Sequence, residues 1–269
     1  MFNNSELKLK KEKDFHNKWA RSIKTDELLV NETFESPTAP ENRYALMSFG
    51  DIKGKRILDL GCGAGETSVY FALQGASVYA CDIAEDFLAV ATELSAKYGV
   101  AIDFKLADVA SLPYPDNYFD CIFGNGVLHH VELFSAANEI RRVLKPTGRA
   151  AFIEPLPYNP IIKIYRVMAK GVRSADEKPI SFRRLHHFAS YFSSHKQTEF
   201  WFLSLFIFLH FFFIRGWHPS KVRYWKRIIE VGDEYKSLFI KLQRIDTLCL
   251  RCIPFLRYLF WNSVLVVTK

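Results

Sequence analysis

Between residues 55 and 155, short apolar runs alternate with longer amphipathic stretches, and this alternation constrains the fold more than any other feature of the chain. The segments "KRILDL", "ASVYACD", "AIDFKLAD", "YFDCIFGN" and "RAAFIEP" have the length and composition of strands buried in a sheet. Between them, "GETSVYFALQG" reads as a helix closed by Gly75. "AEDFLAVATELSAKYG" reads as a helix with an acidic first turn and Gly99 past its end, and "ELFSAANEIRRVLKPTG" as one stopped by Pro146 and Gly148. Strands joined by helices of this length form βαβ units. The expected fold is therefore α/β, a mostly parallel sheet with both faces covered.

The first strand runs straight into "DLGCGAGE", where Gly61, Gly63 and Gly65 open a helix. Such a junction brings backbone close to a ligand, and two ligands compete for it. A dinucleotide fold spaces its glycines G-x-G-x-x-G to bring a pyrophosphate onto a helix N-terminus. Here the spacing is G-x-G-x-G followed by Glu66, and a carboxylate at that point repels a pyrophosphate. A nucleoside without phosphates suits the loop better. S-adenosyl-L-methionine is one: Asp59 can face its amino group, and the small residues, Cys62 among them, let the backbone touch its aminoacyl part. Asp82, with Ile83 beside it, ends the second strand, where a carboxylate can accept from both ribose hydroxyls. A dinucleotide would want an acid there too. Asp108 ends the third strand, placed to accept from the adenine amine, with the Val109 N–H beside it. The Asn125–Gly126 turn after the fourth strand can lie along the methionine moiety.

The ordered set "ILDLGCGAG", "ACDIA", "LADVASLPYPDNYFD", "GNGVLHHV" and "EIRRVLKPTGRAAFIEP" resembles the class I S-adenosylmethionine-dependent methyltransferases. Within them it is similar to the subgroup that includes ubiquinone/menaquinone-biosynthesis and many small-molecule methyltransferases. The resemblance covers about residues 50–155. It implies a Rossmann-like, seven-stranded, mostly parallel sheet with an antiparallel last strand, for which "FWNSVLVVTK" is suited. The domain organisation it suggests is a helical N-terminal cap (1–45), a cofactor-binding core (46–155), a helical, apolar and basic substrate- or membrane-facing region (156–254) with a sixth strand near 197–203, and a final strand (255–269).

The sulfonium methyl is already electrophilic, so the protein's task is alignment and, for acceptors that carry a proton, its removal. His129 and His130, just past the fourth strand, are the candidate general bases; the alternative is that both pack or hydrogen-bond beneath the cofactor. His186 and His187 suit a surface role. Oxygen, carbon and nitrogen acceptors all remain open. No "NPPY"-like tetrapeptide follows the fourth strand, which lowers the expectation of a nucleic-acid base as substrate. Cys249 and Cys252 form a lone C-x-x-C without two further ligands at motif spacing, so no metal site is expected. Five scattered cysteines fit a reducing compartment, and the polar start "MFNNSELKLKKEKDF" does not have the shape of a signal peptide.

Charge is divided unevenly: residues 1–154 carry a net −5 and residues 155–269 a net +12. The basic half also holds "FWFLSLFIFLHFFFI" (200–214), which as a helix would be too short to cross a bilayer. "RGWHPSKVRYWKR" follows it, and residues 224–252 read as one long amphipathic helix with Lys226, Arg227, Lys236, Lys241 and Arg244 on its polar side. Cations and aromatics beside an apolar run suit a headgroup layer. The expected acceptor is a small or lipid-like molecule, with peripheral contact to an anionic membrane from a cytoplasmic position. Two other readings stand beside this one: a non-catalytic cofactor-binding protein with a regulatory or assembly role, and an RNA methyltransferase using the basic half. Arg43 and Tyr44 are candidates to close over the cofactor or simply to pack.

Overall fold

Alternate residues of the central strands face opposite layers, and this decides how the helices stack. The computed structural model describes residues 4–169 and 178–269. Its elements run α1 (Asn4–Ala20), α2 (Glu32–Glu35), α3 (Pro40–Phe49), β1 (Arg56–Leu60), α4 (Glu66–Leu73), β2 (Ser77–Asp82), α5 (Glu85–Lys97), β3 (Ile102–Leu106), β4 (Phe119–Asn125), α6 (Leu133–Val143), β5 (Leu144–Pro155), α7 (Pro160–Met168), α8 (Phe182–Ala189), β6 (Ser194–Phe200), α9 (Phe206–Phe213), α10 (Tyr224–Glu230), α11 (Gly232–Cys252) and β7 (Asn262–Thr268). The seven strands form one sheet in the order β3-β2-β1-β4-β5-β7-β6. The first five are parallel, and β7 runs antiparallel between β5 and β6. This is the seven-stranded, mostly parallel sheet with an antiparallel last strand that the sequence suggests.

On one face Ile57, Val78, Phe123, Ile153 and Val264 pack under α3, α4 and α5 with Phe34, Phe71 and Phe87. On the other, Leu58, Ile122, Phe152 and Leu265 pack under α6 and α8 with Ile140, Leu185 and Phe188. Full burial of side chains this size stabilises by roughly 1.5–3 kcal/mol each. The strand order reverses between β1 and β4. A crevice opens there at the carboxyl ends of the strands, where an α/β sheet binds its ligand.

Several boundaries differ from the sequence expectation, each for a physical reason. The helix "ELFSAANEIRRVLKPTG" ends at Val143, because Leu144 already pairs with Phe119; a register shift then carries the chain past Pro146 and Gly148 within β5. The sixth strand lies three residues earlier than expected, at Ser194–Phe200. It is followed by a sharp bend at Trp201 (φ 69°), held because Asp246 accepts from the N–H groups of Phe202, Leu203 and Ser204. The apolar run 200–214 is thereby split between a strand end, a 3-10 turn and the eight-residue α9. Ile207, Phe208 and Phe211 join Trp201, Tyr224 and Phe239 in a third core, while Phe213 and Ile214 remain exposed.

The single helix expected over 224–252 is two. At Gly232 a Cβ would lie 2.2 Å from Ser36 Oγ, because the 36–38 loop passes there, and Thr38 Oγ1 donates to the Ile228 carbonyl at the end of α10 (2.8 Å). The loop expected at "VRSADEKPIS" falls largely outside the described residues. Among the described residues no helix is long and apolar enough to cross a membrane.

Candidate active site

The crevice beside β1 and β4 deepens into a cavity of about 1200 Å3. The carboxyl ends of the strands supply one end of it. Asp59, Gly61, Cys62, Gly63, Asp82, Ile83, Asp108, Val109, Asn125 and Gly126 all line it, so ten residues singled out on sequence grounds are brought to one wall. Gly65 does not line the cavity. It sits at the start of α4 with φ 85°, and a Cβ there would meet the Ala91 Cβ at 2.8 Å; its smallness lets α4 lie close to α5. Gly61 is likewise held tight against Val127, whereas a Cβ at Gly63 (φ 52°) would meet nothing within 4 Å and would project into open space at the cavity wall.

The acids here are held by donors from the same turns. Asp82 accepts from the Gly63 N–H (3.0 Å) and the Ala84 N–H (2.9 Å), which fixes the glycine turn to the end of β2; burial raises its carboxyl above the ordinary carboxylate range. Asp59, 2 % exposed, accepts from Ser68 Oγ at 2.5 Å. Burial, with the Asp82 charge adding to it, pushes its carboxyl up to about 7. A buried acid held so far from its ordinary value fits a cationic ligand, whose charge restores the ionised form. Asp108 caps its own turn by accepting from the Ala110 N–H (2.9 Å). Burial raises the Cys62 thiol well above its ordinary value, consistent with a filler and not a nucleophile. Glu66 accepts from the Leu29 N–H (2.7 Å) and so ties the N-terminal segment to the first turn of α4. The open space at Gly63, the buried Asp59 and the paired acids at the ends of β2 and β3 suit a phosphate-free cationic nucleoside.

His129 and His130 also line the cavity but stand in different company. His129 is buried, and its Nδ1 lies 2.7 Å from Glu154 Oε2. Glu154 Oε1 accepts from the N–H groups of Val127 (2.8 Å) and Leu128 (2.6 Å). The fully buried carboxylate therefore faces donors, so the His129 Nδ1 carries the proton and Nε2 is the acceptor nitrogen. His130 Nδ1 lies 2.6 Å from Glu12 Oε1, a residue of α1. Sequence reasoning passed over Glu154, although its signal was available: it is the lone acid in the apolar run "AAFIEP". Glu12, His16 and Glu41 carry no local signal, because they reach the cavity only through the packing of α1 and α3.

The far wall is built by the helical segments. Trp201 Nε1 donates to both oxygens of the half-buried Glu41 (3.0 and 2.9 Å), and Arg223 stacks over the Trp19 ring at 3.6 Å. Burial lowers the Arg223 guanidinium to about 10. His187, expected at the surface, is exposed yet borders the cavity beside Arg184; His186 is exposed as well and does not line it. Arg43 and Tyr44 do not reach the cavity. Arg43 donates to the Ser36 and Pro37 carbonyls, and Tyr44 pairs with Thr198 (3.0 Å).

The sheet order and the glycine cradle at the switch point are those of the Rossmann-like fold of class I S-adenosylmethionine-dependent methyltransferases. Comparison with known proteins agrees. Residues 58–152 match the family model of a methyltransferase domain. The chain is 36% identical over 121 residues to the ubiquinone/menaquinone biosynthesis C-methyltransferase UbiE of Paraburkholderia xenovorans, covering 42% of this chain and 49% of that protein. It is 31% identical over 134 residues to the sterol 24-C-methyltransferase ERG6B of Gibberella zeae, covering 48% of this chain and 35% of that one. Among solved structures, phosphoethanolamine N-methyltransferase 2 of Haemonchus contortus, in complex with phosphomonomethylethanolamine and S-adenosylhomocysteine, superposes over 96% of this chain and 57% of its own. The TM-score is 0.58 at 18% identity, a likeness of fold alone. The chain spans about half the length of the curated relatives it matches.

Proposed function

We propose that this protein transfers a methyl group from S-adenosyl-L-methionine to a small, lipophilic acceptor. The observation that carries this reading is the single cavity shared by the acid-and-glycine wall at the sheet edge and the His129–Glu154 pair. Asp59 would face the amino group of the donor, Gly61, Cys62 and Gly63 its aminoacyl backbone, Asp82 and Ile83 the ribose, Asp108 and Val109 the adenine, and Asn125 and Gly126 the methionine chain. When bound, the donor supplies an electrophilic methyl. The chain's own contribution is to hold the acceptor in line with it, which is worth roughly 7–11 kcal/mol of the barrier, and to exclude water. For an acceptor that carries a proton, the His129 Nε2 is the group placed to take it, and Glu154 stabilises the imidazolium that results.

A lipophilic acceptor is supported by the aromatic far wall, where Trp19, Trp201, Tyr165 and Trp261 face the cavity, and by relatives named for quinone and sterol chemistry. Peripheral contact with an anionic membrane belongs to the same proposal. Phe206, Phe213, Ile214, Leu238, Ile245, Leu248 and Phe255 are exposed in the C-terminal half, and Lys236, Lys241 and Arg244 are exposed on α11 among them. The test is isothermal titration with S-adenosylmethionine and S-adenosylhomocysteine, followed by a turnover screen over quinone, sterol and phospholipid extracts. Micromolar binding with turnover of an apolar acceptor is expected. Absence of nucleoside binding overturns the enzymatic reading, and binding without turnover of any acceptor favours the regulatory one.

A further inference from the structure

Side chains from two distant parts of the sequence meet at the cavity: Glu12 and His16, one turn apart on α1, and His130 from the segment after β4. One donor atom from each lies within 4.8 Å of the other two. His130 Nδ1 is 2.6 Å, and His16 Nε2 3.6 Å, from the same oxygen, Glu12 Oε1. Glu12 is 5 % exposed, so this carboxylate has left water for the company of two imidazoles. All three side chains line the cavity.

We propose that Glu12, His16 and His130 form a binding site for a divalent transition-metal ion of the zinc class. Two imidazoles and one carboxylate are the donor set of a metal site that keeps a position open, since a closed structural site takes four protein ligands. The i, i+4 spacing of Glu12 and His16 places both on one face of α1, and the apolar surroundings suit a partly dehydrated ion: His16 lies against Phe15, Trp19 and Phe87, at ring separations of 5.5, 6.0 and 5.7 Å. Ligand atoms on a tetrahedral zinc lie roughly 3.3 Å apart, given metal–ligand bonds of about 2.0–2.1 Å. The His16–Glu12 separation of 3.6 Å is close to that. The His130–Glu12 separation of 2.6 Å is an ion-pair contact shorter than the spacing of two ligands of one zinc, so ion entry widens it and moves α1 outward by a fraction of an ångström. The helix is held to α5 by surface pairs, Lys13 with Glu85 (3.2 Å) and Arg21 with Asp86 (2.6 Å), which can follow such a shift.

The site deepens the methyltransferase reading and rests on it for its role. His130 lines the cavity with its ring centroid 4.0 Å from that of His129, so an ion held by it would be within reach of an acceptor hydroxyl, enol or carboxylate oxygen in the cavity. The acceptor class this selects is an oxygen-bearing one. The local acids and imidazoles would likewise hold the ion without any acceptor, so binding can be measured alone.

The test is equilibrium dialysis and titration calorimetry of the full chain against Zn2+, in a C249S/C252S background that removes the two cysteines not buried in the core. One ion per chain is expected. Since a group that merely orients a metal ligand is worth 10–100-fold, E12Q, H16A and H130N should each weaken binding by roughly 100-fold. His16 is partly exposed on α1, so H16A is the variant that leaves the fold intact, and its thermal transition should stay at the wild-type value. Co2+ loading should give visible absorption bands of a four- or five-coordinate N/O site without the near-ultraviolet charge transfer of a thiolate. Failure of the wild-type chain to retain an ion, affinity unaltered in H16A, or a thiolate signature overturns the site. S-adenosylhomocysteine affinity, measured on the same samples, separates this failure from that of the enzymatic reading.

Discussion

Replacing Glu154 by glutamine isolates the role of the buried carboxylate, since shape is kept while one acceptor oxygen becomes a donor. The amide oxygen can still accept from Val127 and Leu128, as Glu154 Oε1 does now at 2.8 and 2.6 Å. Its NH2 then faces the His129 Nδ1, which must accept, and the ring proton moves to Nε2. Hydrogen bonds to a charged group are worth about 1.5–3 kcal/mol against about 0.5–1.5 for neutral ones. Three such exchanges would cost a few kcal/mol, but relief of the carboxylate's desolvation offsets much of it, so E154Q should unfold within about 2 kcal/mol of wild type. E154A instead removes the acceptor from two buried N–H groups and from the His129 Nδ1–H, at about 1–3 kcal/mol each, for a loss on the order of 3–9 kcal/mol. The functional effect runs the other way from the stability effect. Long-range 1H–15N correlation should show the His129 ring switched from the Nδ1–H to the Nε2–H tautomer in E154Q. S-adenosylhomocysteine affinity should hold, while turnover of a proton-bearing acceptor falls by roughly 10²–10⁴-fold. An unchanged tautomer, or full turnover in E154Q, would refute the assignment of Glu154 as the group that orients His129.

G63A should fold, at about 1–2 kcal/mol for the left-handed backbone, yet lose at least about tenfold in nucleoside affinity by calorimetry, because the new methyl enters the cradle. Asp59 holds a proton in the ligand-free native state up to about pH 7, whereas the unfolded chain gives it up near 3.8. Its contribution is thus fully present below pH ~4 and is lost as pH rises to 7, by on the order of 4 kcal/mol, so the stability of wild type relative to D59N should fall by about that much between pH 4 and 8 in chemical denaturation. A cation seated at Asp59 favours the ionised form, so nucleoside binding at pH 6 should release a proton, seen as a binding enthalpy that depends on the buffer's ionisation heat. Flotation with anionic liposomes at low salt should recover the wild-type chain, and F213S/I214S with K236E/K241E should leave it in the soluble fraction at unaltered nucleoside affinity.

How much of this was legible in the sequence follows from how local each signal is. The parallel core was legible because strands buried on both faces are uninterrupted apolar runs, and because the cavity-lining residues of β1 to β4 sit at strand ends where glycines and acids interrupt them. The edge strand β6 was harder: "SHKQTEF" is polar at most positions, with only Glu199 fully inside, where it pairs with Arg257 at 2.6 Å. The break between α10 and α11 was invisible because no proline marks it. It is imposed by Ser36 and Thr38, nearly 200 residues upstream, against Gly232. Pro146, in contrast, looked like the stop of α6 and is not, since strand pairing at Leu144 ends the helix first. The sheet-edge wall of the cavity could be read residue by residue as a lining. The far wall could not, because α1, α3, α7 and α10 each give it a few side chains that have no spacing in common.

The uneven charge of the two halves finds part of its explanation inside the molecule. Asp59, Asp82, Asp108, Glu12, Glu41, Glu66 and Glu132 from the acidic half line the cavity, and Arg166, Arg184, Arg223 and Lys226 from the basic half line it opposite them. Close apposition of opposite charges across a low-dielectric cleft strengthens the attraction between the halves, and it lets the cleft hold a ligand that is cationic at one end and oxygen-bearing at the other. The cations turned inward are therefore accounted for without any partner. Among the cations outside the cavity, Lys236, Lys241 and Arg244 are exposed on α11 beside Leu238, Ile245 and Leu248. Apolar residues exposed among cations on one helix gain nothing from facing bulk water, and this pattern supports the proposed contact with an anionic headgroup layer. An acceptor drawn from that layer would meet the same chemistry at the cavity wall, aromatic rings backed by arginine, so the outer face and the inner wall fit a single class of substrate.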